Sequence, residues 1–439
     1  MVKATREGQN FEWGCLLAPG TPWQRKEQDN GNSIPATLGI GTMVVGTTTI
    51  RTTTTRVGFV SSTIEKMAES REFVSFDEVQ RAYFDCRKNK KRKPSAIAYE
   101  MDYEINNYNL WKELNAGTYE IGTSICFCVT RPKLREVFAA DFRDRIVHHL
   151  LMNRMLPIFE SVFHSDTYNC RVGKGVLYGV NRVAEQAKKI GKDCCYLRTD
   201  VSAFFMSIDK ETLWESVEKL LREKWVGNDI DWWLALLKKI IMHRPERKCV
   251  RRGNIKLWDK LPKSKSLFYS NGKGLPIGNL TSQILANYYM NPIDVWLSGC
   301  VQGYGRYVDD IVLINADKKK MMRLIPEIRK RFTGLGLSLN EKKIASQRAD
   351  KGIPFTGYII KPWGLYPARR MRNNAIAVAK TQEDAEHHLC RLNSYLGFLR
   401  HALTFGLRWL IWKETQRVMK GVYGTEKLYS IHTYKSKTI

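Results

Sequence analysis

The sequence predicts an α+β fold in which short antiparallel strands alternate with amphipathic helices. Residues Gly303 to Ile314 read Gly-Tyr-Gly-Arg-Tyr-Val-Asp-Asp-Ile-Val-Leu-Ile, two apolar runs broken by an acidic pair, which is the pattern of a hairpin with Asp309 and Asp310 at its tip. Cys194 to Asp200 reads as another strand, one that ends on a carboxylate. Helical spacing of apolar residues recurs before, between and after these strands.

At 439 residues the chain is long enough for two or three subdomains around a large core. Lys and Arg number 71 against 44 Asp and Glu, a formal charge of +27 spread along most of the chain. That excess points to a polyanionic partner held more weakly as salt rises. The ten cysteines include no C-x-x-C and no Cys/His spacing suited to zinc, the pattern of reduced thiols in a cytoplasmic protein. No signal-peptide core and no apolar run of bilayer length occurs, so no membrane partner is expected.

Residues 1–66, rich in Gly, Thr and Asn and nearly repetitive from Thr47 to Arg56, have no amphipathic period; they are expected to be a poorly ordered, low-complexity extension. Helical spacing begins at Phe76 to Tyr83, and the basic run Arg87 to Pro94 reads equally as a solvated loop or as a grip on phosphates. Asp102 to Leu114 is a second helix, Ile125 to Val129 a buried strand, and Phe138 to Leu151 opens a further helix. His148 and His149 are adjacent and cannot share a helix face, so they read as packing or surface residues rather than a metal pair.

Tyr168 to Gly175 has the composition of a phosphate-holding turn, with glycines that let the backbone approach an anion and with Arg171 and Lys174 supplying charge. Asp200, at a strand terminus, stands where α/β architectures place a metal ligand, against the alternative that it caps the next turn. Thr212 to Arg244 holds two helices rich in Trp. Gly274 to Met290 reads as a glycine-bounded loop feeding a long helix, with Asn279, Thr281 or Ser282 as N-cap and free N–H groups turned to a nucleotide or template. Phe355 to Ile360 makes another strand, and helical spacing resumes from Ala375. The carboxylates at Asp309 and Asp310 repel in so apolar a setting, and a divalent cation relieves such repulsion.

The order and spacing of these pieces resemble the successive palm motifs of reverse transcriptases. The residues that carry the resemblance are Asp200 with Phe204-Phe205, Leu275 to Gln283, Tyr307-Val308-Asp309-Asp310, Leu339 to Lys343, and Phe355-Thr356-Gly357-Tyr358. The likeness runs from about residue 70 to the C-terminus. Within that superfamily the chain is most similar to the enzymes of diversity-generating retroelements. The loop Ile277 to Gln283 carries this, because group II intron and retroviral enzymes usually have Gln before that glycine and Pro after that serine.

The resemblance implies a right-hand polymerase with fingers at 67–190, a palm at 191–360 built on an antiparallel sheet with helices, and a helical thumb at 361–439. It implies RNA-directed DNA synthesis from dNTPs on an RNA template and a DNA or RNA primer, with two Mg²⁺ ions, Mn²⁺ being the alternative. Asp200 and Asp309 would bridge the ions, Asp310 would be a secondary carboxylate, and the backbone oxygen of Val201 would complete the second site. Arg135, Arg171 and Lys174 match positions that hold the triphosphate, and Lys343 one that protonates the leaving pyrophosphate. Phe205 would act as a steric gate against a 2′-hydroxyl, with Ile277 and Gly278 against the nucleotide and Ser282, Gln283, Tyr307 and Gly357 along template and primer. The family further implies a cytoplasmic enzyme of a bacterium or phage, often served by a small basic accessory protein, and errors opposite template adenine where Ile277 replaces a polar Gln. The alternatives are an antiviral-defence or group II intron-type reverse transcriptase, or a non-catalytic RNA-binding scaffold. The scaffold has no use for both Asp200 and Asp309.

Overall fold

The computed structural model describes residues 72–419 except 89, 91, 92, 131, 132 and 383, together with two short strands at 423–426 and 430–433. The extension expected at 1–66, Arg131 and part of the basic run Arg87 to Pro94 lie outside the described residues. Along the chain the strands are β1 (Ser124–Val129), β2 (Arg135–Ala139), β3 (Cys195–Asp200), β4 (Cys249–Arg251), β5 (Gly303–Tyr307), β6 (Asp310–Asn315), β7 (Ala345–Arg348), β8 (Ile353–Phe355), β9 (Tyr358–Lys361) and β10 (Gly364–Pro367), followed by β11 (Tyr423–Glu426) and β12 (Ser430–Thr433).

A four-stranded antiparallel sheet in the order β5-β6-β3-β7 organises the middle of the chain. Alternate side chains enter two different cores. Cys195, Leu197, Ile311 and Leu313 join the main core with the helices Lys318–Gly334 and Phe142–Val162. Cys194, Tyr196, Val312 and Ile314 join a second cluster with Val180 and Val183 of the helix Val176–Ile190. A sheet covered on both faces has no polar side, which is why Ile311 to Ile314 is an unbroken apolar run. A one-residue slip would exchange the two cores, so the register is strongly specified.

Smaller sheets flank the centre. β1 and β2 form an antiparallel pair to which β4 adds parallel to β1, and β8, β9 and β10 form a three-stranded antiparallel sheet. The first helix among the described residues, Phe76–Arg87, starts at a capping box between Ser75 and Glu78 and packs Val79, Ala82 and Tyr83 into the main core, which also holds Val147, Leu150 and Leu151 of Phe142–Val162. Toward the C-terminus, Arg369–Ala379, Ala385–Leu399 and Phe405–Met419 share a separate small core through Val378, Leu396 and Ile411. Tyr358 of β9 stacks on Phe398 at 4.0 Å and donates to its carbonyl, joining that bundle to the sheet before it.

Several local expectations change. Phe138 and Ala139 complete β2, and the helix begins at Phe142, where the Asp141 side chain accepts from Arg143 N–H. The long helix expected to follow Gly274 is ten residues, Leu280–Tyr289, and a second helix starts at Asn291, whose next residue, Pro292, suits a first turn. Asn279 occupies the N-cap, yet its side chain accepts from Ala140 N–H at 3.3 Å instead of capping the helix, because the loop lies against the end of β2. Phe355 to Ile360 is two strands, since Thr356 and Gly357 both take positive φ, 46° and 90°, and turn the chain between β8 and β9.

Candidate functional site

The pairing of β3 with β6 sets Asp200 directly opposite Asp310, and Tyr307 of β5 flanks Asp310 from the other side. Val308 and Asp309 make the turn between β5 and β6. Val308 has φ 58°, a left-handed conformation that a β-branched residue adopts only under strain. Both its backbone polar groups are held: its N–H donates to Asn169 Oδ1 at 3.1 Å, and its carbonyl accepts from Arg306 Nη1 at 2.9 Å. Arg306 is itself fully buried, paired with Asp294 at 2.6 Å, and Tyr304 donates its hydroxyl to the same carboxylate. A polar triad inside the core thus fixes the acidic turn from beneath.

The carboxylates are treated unequally. Arg198 donates to both oxygens of Asp310, at 2.7 and 3.0 Å, and Thr356 N–H adds a third, longer bond. Asp200 accepts from Asn340 Nδ2 at 3.3 Å and from the Lys343 ammonium. Asp309 has no ion pair among the described residues; its backbone oxygen accepts from Val201 N–H at 3.3 Å. Desolvation, and then the charge of Asp200, pushes the Asp309 carboxyl up to about 6. Desolvation also raises Asp310, with Arg198 pulling it back.

These groups suit a hard divalent cation. All the donors are oxygens, and the repulsion from Asp200 that adds to desolvation in raising Asp309 is what a cation held by Asp200 and Asp309 would remove. Among the described residues no three His, Cys, Asp or Glu side chains gather as a metal cluster, and Asp310 has both oxygens engaged by Arg198. The fit is therefore to two carboxylates, with backbone oxygen such as that of Val201 as the complement.

Sequence reasoning gave Lys133 no role, yet it stands in the field of this centre. Its ammonium is pushed down by desolvation and then by Lys343, while Asp200 and Asp309 draw it up. The available signal was its place two residues before Arg135 in the basic connection between β1 and β2. Arg135 opens β2 half-buried and makes no hydrogen bond or ion pair with its guanidinium among the described residues.

Arg171 is placed differently from Arg135. Its guanidinium bonds Glu160 at 2.7 Å, the His164 carbonyl at 2.6 Å and Thr167 Oγ1 at 2.9 Å, so in this conformation it braces the Tyr168 to Gly175 turn from within. Lys174 donates to the Ser165 carbonyl. Phe205 and Ile277 pack, half-buried, against one small cluster that includes Cys126, Phe138, Met206 and Leu267. The loop is tied there by the Ile277 carbonyl, which accepts from Phe138 N–H at 2.9 Å. Gly278 has φ 126°, and a Cβ on it would stand 2.9 Å from the Phe138 oxygen, so only glycine lets the loop lie this close to β2. Ser282 is buried in the helix, Gln283 accepts from the Cys170 thiol, Tyr307 packs on the second cluster, and Gly357 turns the chain beside Thr356, which bonds Asp310. Asp200, Val201, Asp309, Asp310 and Lys343 are thus brought together, with Phe205, Ile277 and Gly278 in an adjoining group against β2.

Residues 131–360 match the sequence model of a family described as reverse transcriptase (RNA-dependent DNA polymerase). Protein YkfC of Escherichia coli (strain K12) is 25% identical over 308 residues, 61% of this chain and 73% of that protein. Among solved structures, apo telomerase from Candida tropicalis is similar with TM-score 0.43 and 11% identity over 72% of this chain. Telomerase from Candida albicans in complex with a TWJ fragment of telomeric RNA is similar with TM-score 0.39 and 10% identity over 69% of this chain. The matches cover 61% and 55% of those telomerase chains. No helix among the described residues is long and apolar enough to cross a membrane.

Proposed function

The chain belongs to the reverse transcriptase family, with the fold of a right-hand polymerase and the activity of an RNA-directed DNA polymerase, and from that premise we propose that it copies RNA inside a diversity-generating retroelement, with errors concentrated at template adenine. The observation that carries the catalytic part is the register that sets Asp200 opposite Asp310, with Asp309 on a turn held by Asn169 and Arg306. Fingers at 67–190, palm at 191–360 and thumb at 361–439 are supported by the central sheet and the separate C-terminal core.

In this reading Asp200 and Asp309 hold the divalent cations that reverse transcriptases generally use, with the Val201 backbone oxygen and Asp310 in support. Bound there, Mg²⁺ would acidify the primer 3′-hydroxyl and offset the charge of the triphosphate. Arg135 and Lys133 draw the triphosphate toward the carboxylates. Lys343 gives a proton to the leaving pyrophosphate in this reading, which its bond to Asp200 supports. Phe205 faces the sugar as the gate against ribonucleotides, and Ser282, Gln283, Tyr307 and Gly357 line the path of template and primer.

The retroelement assignment is supported by Ile277, which packs with Phe205 on one cluster and offers the nucleotide dispersion contact but no hydrogen bond. A missing hydrogen bond is worth about 1 kcal/mol, enough to lower discrimination several-fold. Primer extension on a defined RNA template, with dNTPs against NTPs and sequencing of the cDNA, tests both parts. Expected are DNA products with misincorporation mainly opposite adenine, reduced by Ile277→Gln. Equal error at all four bases would favour an intron-type or antiviral-defence enzyme, and no extension at all would leave an RNA-binding scaffold.

A further inference from the structure

Beside the turn that carries Phe205 lies a cleft of about 430 Å³ lined by lysines and hydroxyls and by no carboxylate. One wall is the loop between β4 and Gly274, which contributes Lys263, Lys265, Ser270 and Lys273. That loop is firmly seated. Glu136, fully buried on β2, accepts from Trp258 Nε1 and Ser266 Oγ, each at 2.8 Å, and from Leu267 N–H at 2.7 Å. Where the loop rejoins the palm, Gly274 and Leu275 N–H donate to the carbonyls of Ile208 and Phe205, both at 2.8 Å. Lys273 is paired with Asp209, whereas Lys263 and Lys265 are exposed and have no ion pair among the described residues.

The opposite wall reaches Asp200. It includes Ser202, two residues past Asp200, and Asn340, which bonds Asp200 through its side chain at 3.3 Å and through its backbone N–H at 2.8 Å. Ammonium and hydroxyl donors, of which only Lys273 is paired with a carboxylate, make a site for a phosphate-bearing anion. Glu136 gives this basic loop a fixed position that solvation alone would not require.

We propose that the cleft is a holding site for inorganic pyrophosphate leaving the Asp200 centre, distinct from the Lys133 and Arg135 side of that centre. The proposal rests on the polymerase reading. As the primer 3′-oxygen bonds to the α-phosphorus, the bond from that phosphorus to the α–β bridging oxygen breaks, its electron pair stays with the oxygen, and the hydroxyl proton passes to solvent. One pyrophosphate results per nucleotide added. A cleft of about 430 Å³ has room for a diphosphate, and the two lysines free of ion pairs among the described residues, Lys263 and Lys265, supply the charge to hold it.

The test uses the full chain and inorganic pyrophosphate as the probe, with the variant Lys263→Ala/Lys265→Ala. Pyrophosphate inhibition of primer extension should weaken about tenfold, with kcat and the dNTP KM unchanged when pyrophosphate is absent. Calorimetric binding of pyrophosphate to the protein without primer should weaken in parallel. Unchanged inhibition overturns the proposal. So does a rise in dNTP KM in step with the inhibition constant, which would assign the lysines to the incoming triphosphate, or a loss of primer–template affinity alone, which would assign them to nucleic-acid phosphates. If the wild-type chain extends no primer, the polymerase reading fails while the calorimetric comparison still decides whether the cleft binds the anion.

Discussion

The β5–β6 hairpin and the β1–β2 hairpin carry the two signs of charge of the proposed site, and they are built to opposite rules. Under the acidic turn Arg306 is buried against Asp294, Asp310 is held by Arg198, Asp200 is bonded by Lys343, and both backbone groups of Val308 are fastened. On the basic side, β2 is anchored through Glu136 and through the Ile277 carbonyl on Phe138 N–H, yet neither Lys133 nor Arg135 has a side-chain hydrogen bond among the described residues. The difference teaches where preorganisation sits. The carboxylates are fixed before any ligand arrives, even with strain stored at Val308, while the cations keep their donors unspent.

The largest effect that would sharpen this contrast is on chemistry. Asp309→Asn should lower DNA synthesis at least about a thousandfold, roughly 4 kcal/mol, with RNA affinity nearly unchanged. Extension above a tenth of wild type would remove Asp309 from the catalytic group. Next is the support beneath the turn. Arg306→Met leaves Asp294 buried and unpaired and should cost about 3–5 kcal/mol of stability in urea unfolding, much of it restored in Arg306→Met/Asp294→Leu. A mild effect would mean the acidic hairpin is no more braced than the basic one.

Arg135→Ala provides the opposite case. It should raise the dNTP KM about tenfold while changing stability by under about 0.5 kcal/mol. A stability loss like that of Arg306→Met would erase the distinction.

The smallest effect concerns protons. Asp309 is raised to about 6, so between the ordinary carboxylate range and that value the folded chain binds more protons than the unfolded one. Its contribution to stability is present at low pH and is lost as pH rises through about 6. In EDTA at pH 8, Asp309→Asn should therefore melt about a degree or two higher than wild type, and the gain should vanish near pH 4. A gain independent of pH would assign the effect to packing.

Much of the acidic centre was legible in the sequence because its signals are local. The apolar runs around Asp309–Asp310 mark β5 and β6, and the run ending at Asp200 marks β3. Read alone, Thr356–Gly357 hid a turn inside what reads as one strand, since no neighbouring residue announces that both take positive φ. Other features have no local signal at all. That Arg198 would engage Asp310, that Arg171 would be held by Glu160, or that Glu136 would seat a loop 130 residues away is decided only when distant segments meet. Gly278 stands between these cases: the residue was singled out from its motif, but the reason for it, the closeness of Phe138, belongs to packing.

The tie between Val308 and Asn169 spans 139 residues of chain, that between Arg198 and Asp310 spans 112, and those from Asn340 and Lys343 to Asp200 span 140 and 143. Contacts this far apart in sequence form late, because each must close a long loop before it gains anything. A polypeptide growing from the ribosome can complete the β5–β6 turn locally, yet it has no means of holding Val308 until the segment around Asn169 has docked, and Asp200 waits for Asn340 and Lys343. The catalytic geometry is thus an attribute of the finished molecule, and partly folded chains should be inert even where every strand of the hairpin has formed.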